Sequence, residues 1–379
     1  MKITDVKVAV LDGYKVWNYV RIETDEGITG LGEAYPGEGV TDLVVKRLRP
    51  LILGKDPLHV EPLYHHMIDR TIGHAAGGTM VAAISGVEAA LWDVAGQALG
   101  VPICQLLGGR YRERIRLYAD VGRGGVDTPE AWASRAREGV ADGFEAIKFD
   151  INGSADEFRL DPVNRGLSLR ELDKMTALVA AVRETVGGGV DVCIDCHSIY
   201  GVREAILLAE RLAPFDLMFL EDPVPPENIE AMAKVTAAAS MPICTGEFLH
   251  RRHGFQQLIQ EQACDMLHVD VSGTGGMLEA VKIADLADLY YMPFAAHNVT
   301  SPVGLTAAAH VCAAVRNLHS MELPYHADQI EWRWDLVHAD EPLVQEGVFV
   351  VPQGPGLGIK LNEEVFREHL RPDPGFFGE

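Results

Sequence analysis

Asp195, Glu221 and Glu247 recur at a constant interval of 26 residues (221−195 and 247−221), each at or just past the end of a short apolar run. Carboxylates that end successive structural units in the same way can converge on one point, where they repel unless a cation sits among them. An all-oxygen set suits a hard ion such as Mg2+ or Mn2+ and leaves positions for water or a substrate. Zinc, which favours His and Cys, is less suited. The plainer alternative is a ring of carboxylates bonded to backbone or arginine. Asp270 and His297 end two further apolar runs. An Asp bonded to one imidazole nitrogen fixes the tautomer and raises the basicity of the other, which makes His297 a candidate general base. His197 lies two residues after Asp195, so on an extended segment the two share a face while Cys196 points away.

Eight β-rich apolar runs must position these groups: 115–121, 146–149, 190–196, 218–220, 242–245, 266–269, 290–295 and 318–321. From the second to the eighth, each finishes with an ionisable side chain: Lys148 and Asp150, Asp195 and His197, Glu221, Glu247, Asp270, His297, Glu322. Amphipathic helices fill most of the gaps, with Asp127-Thr-Pro129 and the capping box Ser168-x-x-Glu171 as start signals and Gly143 and Gly187 as stops. Strands alternating with helices predict parallel βαβ units, and eight of them close into a (β/α)8 barrel of α/β class. An open doubly wound sheet is the alternative. Barrels carry their chemistry at the C-terminal ends of the strands, where these residues fall.

Residues 1–115 read as an α+β unit, with strands over 2–11, 17–24 and 28–33 and helices over 42–53, 61–72 and 81–99. The expected division is a capping domain at 1–115, a barrel at 116–339 and a segment at 340–379, with a strand at 347–351, that returns to the cap.

The 379 residues carry a formal net charge of −22, which argues against nucleic-acid or anionic-membrane partners and leaves a small-molecule carboxylate open. No secretory signal opens the chain, and the apolar stretch 80–101 is broken by Glu88, Asp93 and Gln97, so it reads as a buried helix of a cytoplasmic protein. Six cysteines show no disulfide framework. Cys193 to His197 matches the haem-attachment pattern C-x-x-C-H, but cysteines three apart on a strand face opposite ways, so no haem is expected. Gly273-Thr-Gly-Gly276 lacks the third glycine of a dinucleotide fingerprint, Leu278 standing there, so no NAD is expected.

The strand-end series, with Glu221-Asp-Pro, Gly246-Glu247 and His297-Asn-Val-Thr-Ser-Pro302, resembles the mandelate racemase/muconate lactonizing enzyme branch of the enolase superfamily. So does the run from Val87 to Gly96, followed by Pro102 and Leu107-Gly-Gly109. The His two residues after the first metal Asp is similar to acid-sugar dehydratases of the galactonate dehydratase type. The resemblance implies that Asp195, Glu221 and Glu247 bind Mg2+, that His297 oriented by Asp270 removes the α-proton, and that His197 protonates the departing β-hydroxyl. It also implies that Lys148 meets the developing charge and that Glu322, protonated or sharing a proton, bonds a carboxylate oxygen. Homo-oligomers are common among such relatives. Many end the second strand in Lys-x-Lys; Asp150 replaces the second Lys, which lowers racemisation and favours one-base elimination, and leaves Asp150 as a candidate substrate contact. An epimerase, racemase or cycloisomerase using the same enolate is the alternative. A metal-dependent hydrolase would need a His-x-His on the first strand, which 117–120 lacks, and a non-catalytic barrel would have a broken site. Loops at 12–18 and 71–78 would cover the mouth, with Lys15, Trp17 and His74 as candidate substrate contacts.

Overall fold

The computed structural model describes residues 1–71, 73, 77–122, 127–151, 163–325 and 330–378. Three antiparallel strands open the chain: β1 (Ile3–Asp12), β2 (Val16–Thr24) and β3 (Thr29–Ala34). Their inner face packs on the helix Thr79–Leu99, whose apolar residues are buried almost throughout. That helix is long and apolar enough to cross a bilayer by composition, but 89% of its most apolar window lies inside the protein. The approach is close because a Cβ at Gly30 or Gly32 would collide with the carbonyls of Ala90 and Gly86.

The helix expected over 42–53 is broken into Val40–Leu43, a π-helical turn Val44–Leu48, and Arg49–Ile52. Pro50 explains the break: it has no N–H for the carbonyl four residues back, and its ring crowds that carbonyl, so the turn widens.

The barrel strands are β4 (Arg114–Asp120), β5 (Ala146–Asp150), β6 (Asp191–Asp195), β7 (Phe219–Glu221), β8 (Ile243–Thr245), β9 (Met266–Asp270), β10 (Phe294–His297) and β11 (Leu318–Leu323). Neighbours are parallel, and β11 pairs back on β4, so the sheet closes. Tyr118, Cys193, Phe219, Cys244 and Met266 fill the interior below the mouth. The capping box at Ser168 and Glu171 forms as read, with both reciprocal bonds. The strand expected from 290 begins only at Phe294, because Tyr290 and Tyr291 finish the turn after the preceding helix.

After the barrel, β12 (Val337–His338) and β13 (Val344–Gln345) lead to β14 (Val348–Val350), which adds antiparallel to the outer end of β4. The last segment packs on the N-terminal sheet, with the Arg371 N–H donating to the Val10 carbonyl and Phe366 edge-on to Tyr19 at 4.8 Å.

Candidate active site

Register brings the strand ends level. Asp150 pairs with Asp195, Asp195 with Glu221, and Asp270 with His297 as direct cross-strand partners. Side chains at matched positions of a closed parallel sheet share one face, so these groups converge at the barrel mouth. Nearly all are buried, including Lys148, Asp195, Glu221, Glu247, Asp270, His297 and Glu322.

Lys148 is the cationic centre. Its Nζ lies 2.7 Å from Glu322 Oε1, 3.0 Å from Glu221 Oε2 and 3.2 Å from Asp195 Oδ2. Burial alone would discharge it, but the three carboxylates outweigh that and hold it charged, well above the usual lysine range. Burial favours the acid form of Glu322, but Lys148, His297 and His268 oppose it and lower the group to about 2, against the protonated or proton-sharing form that the resemblance implies.

His297 and Asp270 form the expected pair, with Nδ1 2.7 Å from Asp270 Oδ2. Asp270 Oδ1 accepts from the Ser272 hydroxyl at 2.6 Å and the Gly273 N–H at 2.7 Å, which leaves Oδ2 for the imidazole. The other nitrogen, Nε2, faces Glu247 Oε2 at 2.9 Å. Burial disfavours imidazolium here, but Glu247, Glu322 and the Asp270 bond push His297 well above the ordinary histidine value.

His197 stands at the open side of the group, with its side chain 34% exposed and Nε2 3.5 Å from Asp195 Oδ2. Its backbone N–H donates to Asp195 Oδ1 at 2.8 Å. His197 and Ser198 have φ of 47° and 60°, and Asp222, next to Glu221, has 41°. Side chains in left-handed backbone carry strain, which concentrates at functional sites where the surroundings hold it.

A cation fits this donor set. Asp120, Asp150, Asp195, Glu221, Asp222, Glu247, Asp270 and Glu322 crowd the mouth, and one lysine, Lys148, is shared by Asp195, Glu221 and Glu322. Glu221 Oε1, Glu247 Oε2 and Asp222 Oδ2 are buried with no aligned hydrogen-bond donor. Burial first, and neighbouring carboxylates after it, push Asp120, Asp150, Glu221 and Asp222 above the usual carboxylate range. The three expected ligands fall in two adjoining groups. Asp195 clusters with Asp150 and His197, and Glu221 and Glu247 cluster with His268.

His268 escaped the sequence reading. It is fully buried in the barrel, 2.5 Å from Glu221 Oε1 and 2.6 Å from the Tyr118 hydroxyl. It sits two residues before Asp270 on one strand, hence on the same face, and that spacing could have revealed it. Asp120 ends the first strand as the other carboxylates end theirs. Tyr35 had no such signal: it enters from β3, its ring stacked on His297 with centroids 6.4 Å apart.

The cap candidates separate. Lys15 is exposed in the β1–β2 turn. Trp17 is fully buried edge-on to Tyr14 and Trp332, so it packs the loop and offers no face to a ligand. His74 lies outside the described residues.

Residues 131–365 match the family described as enolase C-terminal domain-like, and residues 14–108 match the mandelate racemase/muconate lactonizing enzyme N-terminal domain. The chain is 41% identical over 380 residues to a D-xylonate dehydratase of Haloferax volcanii, covering 100% of this chain and 91% of that protein. It is 32% identical over 375 residues to a D-galactonate dehydratase of Xanthomonas campestris, covering 97% and 94%. A crystal structure of a mandelate racemase/muconate lactonizing enzyme-like protein from Rubrobacter xylanophilus superposes with a TM-score of 0.95 at 41% identity, over 100% of this chain and 99% of that one.

Proposed function

This chain belongs to the mandelate racemase/muconate lactonizing enzyme branch of the enolase superfamily, and from that premise we propose that it is a Mg2+-dependent dehydratase of a sugar acid. The observation that carries the reading is the buried Asp270–His297 pair beside a crowd of carboxylates that share one lysine, with the half-open His197 on the same group. Relatives named as dehydratases of D-xylonate, D-galactonate and D-gluconate support the substrate class.

Asp195, Glu221 and Glu247 would hold the ion, which when bound supplies Lewis-acid stabilisation of negative charge on the substrate carboxylate. In its neutral form, as when a cation rather than the imidazolium meets Glu247, His297 Nε2 removes the proton α to that carboxylate, with Asp270 fixing the tautomer. The C–H electron pair moves into the carboxylate, where Lys148 meets the charge, held in place by Glu322. His197 gives a proton to the β-hydroxyl as the C–O bond breaks, and water leaves. The enol that remains takes a proton at carbon and becomes a 2-keto-3-deoxy acid. Asp150, standing where a second lysine base would be, makes a one-base elimination the better fit than racemisation and is a candidate contact for a sugar hydroxyl. Lys15 and His74 remain candidate contacts from the cap. The division into a cap at 1–115, a barrel at 116–339 and a returning segment at 340–379 goes with this reading. Six free, buried cysteines support a reducing, cytoplasmic setting.

The test is a screen of C5 and C6 aldonic and aldaric acids with Mg2+, detecting 2-keto-3-deoxy product. A hit abolished by chelator is expected and names the sugar. α-Proton exchange in D2O without water loss for any acid would overturn the elimination while leaving the enolate step.

A further inference from the structure

We propose that Glu33 and Glu88, two buried carboxylates of the N-terminal unit, are positioning residues that set the Asp270–His297 geometry from across the domain boundary. The proposal rests on the reading of that pair as the base.

Asp270 ends β9, and the helix Met277–Asp288 begins seven residues on. That helix has no side-chain cap of its own, since Gly276 stands at the N-cap position. Its free N–H groups are met from the other domain. Glu88 Oε2 accepts from the Met277 N–H at 2.9 Å and Oε1 from the Leu278 N–H at 3.1 Å. Three residues earlier on the same helix, Ser85 Oγ accepts from the Gly275 N–H at 3.0 Å. Gly276, with φ 99°, is needed here because a Cβ would run into the Glu88 carboxylate. Trp92 Nε1 holds Glu88 Oε1 from behind at 2.7 Å.

The loop after His297 is treated in the same way. Four residues on, Ser301 caps the helix Pro302–Ala314, and Glu33 grips that cap. Glu33 Oε1 accepts from the Ser301 N–H at 2.9 Å, and Oε2 from the Ser301 hydroxyl at 2.5 Å and the Gly304 N–H at 2.9 Å. Two residues past Glu33, the Tyr35 N–H donates to the Ser272 carbonyl at 3.1 Å and its ring lies over His297. Ser272 is itself a donor to Asp270.

Each half of the base pair therefore stands on a loop pinned at its far end by a cap carboxylate, with Tyr35 joining the two loops. Charge-assisted bonds to helix N-termini are strong and directional. Displacements of about 1 Å remote from the chemistry can lower a rate on the order of a hundredfold. The cap thus serves the base as well as the substrate.

The experiment compares Glu33→Gln and Glu88→Gln with Asp93→Asn in the full-length protein. Asp93 is the matched control: it is equally buried, accepts from the Leu31 and Leu357 N–H groups at 2.8 and 2.7 Å, and touches neither loop. Two readouts are taken. One is the low-field Nδ1–H proton resonance of 15N-labelled histidine, assigned to His297 by its loss in His297→Asn; this needs no substrate. The other is kcat and KM on whichever acid the screen identifies. Expected are a shifted or broadened His297 resonance and a kcat lowered roughly tenfold to a hundredfold with little change in KM. Asp93→Asn should lower the melting temperature and move neither. If all three variants lose stability alike and the resonance and kcat stay put, the glutamates are merely structural and the proposal is overturned. Should a Gln variant not fold, Ser85→Ala and Ser301→Ala are read in the same way: each removes one bond across the domain boundary together with one within its own helix, to the Val81 carbonyl and from the Val303 N–H respectively. If no acid is turned over but the resonance responds, the dehydratase reading falls and the positioning stands.

Discussion

Two sets of buried carboxylates, one on the cap and one at the barrel mouth, are alike in burial and opposite in satisfaction. Glu33, Glu88 and Asp93 each receive several donors, mostly backbone N–H groups. Desolvation lifts Glu33 and Glu88 to about 7 and Asp93 to about 6, with those donors opposing it. At the mouth the donors run out. Lys148 is shared among three acids, Glu221 Oε1 and Glu247 Oε2 face only histidine nitrogens, and Asp222 Oδ2 goes without. Folding leaves few buried acceptors unmet unless something outside the chain meets them. Burial therefore does not mark function here. Unmet demand does.

The sharpest way to break this contrast is at the base. His297→Asn keeps a polar side chain at the mouth but removes the proton acceptor, so kcat on the identified acid should fall about 10^3- to 10^4-fold. Thermal unfolding should move little. A large loss of stability with the residual rate intact would place His297 with the structural set. On the cap the signs reverse. Asp93→Ala leaves the Leu31 and Leu357 N–H groups buried and unmet, which costs on the order of 3 kcal/mol by denaturant unfolding. The rate per folded molecule should hold.

The strand-end reading worked because closed parallel sheets impose one rule on every strand, and the rule is visible in one dimension. Asp195, Glu221, Asp270, His297 and Glu322 each end an apolar run, and register does the rest. His268 is hidden in the run 266–269, which reads as a hydrophobic strand, although its spacing of two from Asp270 puts both on one face. The Lys148–Glu322 ion pair is not readable in the sequence, since it needs Lys148 to reach across from β5. Nor is the service of Glu33 and Glu88 to the barrel. Their partners lie 268 to 271 and 189 to 190 residues away, and no local pattern encodes a contact of that length. Trp17 failed for the opposite reason: an aromatic in a cap loop reads as a ligand contact, and only its packing against Tyr14 and Trp332 shows otherwise.

If unmet demand is what marks the mouth, supplying a cation should stabilise the fold through it. Mg2+ at a hundredfold excess over its Kd should add about 2.7 kcal/mol to unfolding. Glu221→Gln should remove most of that gain, whereas Glu33→Gln should keep it. Equal gains in both variants would mean that the ion binds elsewhere on this acidic surface.

The smallest effect tests the satisfied side by pH. His310 is fully buried on the helix Pro302–Ala314, where Nδ1 accepts from the Cys104 N–H at 3.4 Å and Nε2 donates to the Leu357 carbonyl at 3.0 Å. Only the neutral ring can make both bonds, since a protonated Nδ1 would face a donor. Burial, only partly offset by the Leu357 bond, brings the group down to about 4 from an ordinary 6.5. Between those values the unfolded chain binds a proton that the folded chain refuses, so stability rises with pH across the window. The contribution is complete above 6.5 and is lost as pH falls toward 4, amounting to about 2 kcal/mol at pH 5. Urea unfolding of wild type and His310→Gln at pH 7 and pH 5 isolates it, because the other titrating groups cancel in the difference. The wild type should lose about 2 kcal/mol more than the variant between the two conditions. An equal loss would mean that His310 takes up its proton in the folded state, and that this contact between the two domains tolerates charge.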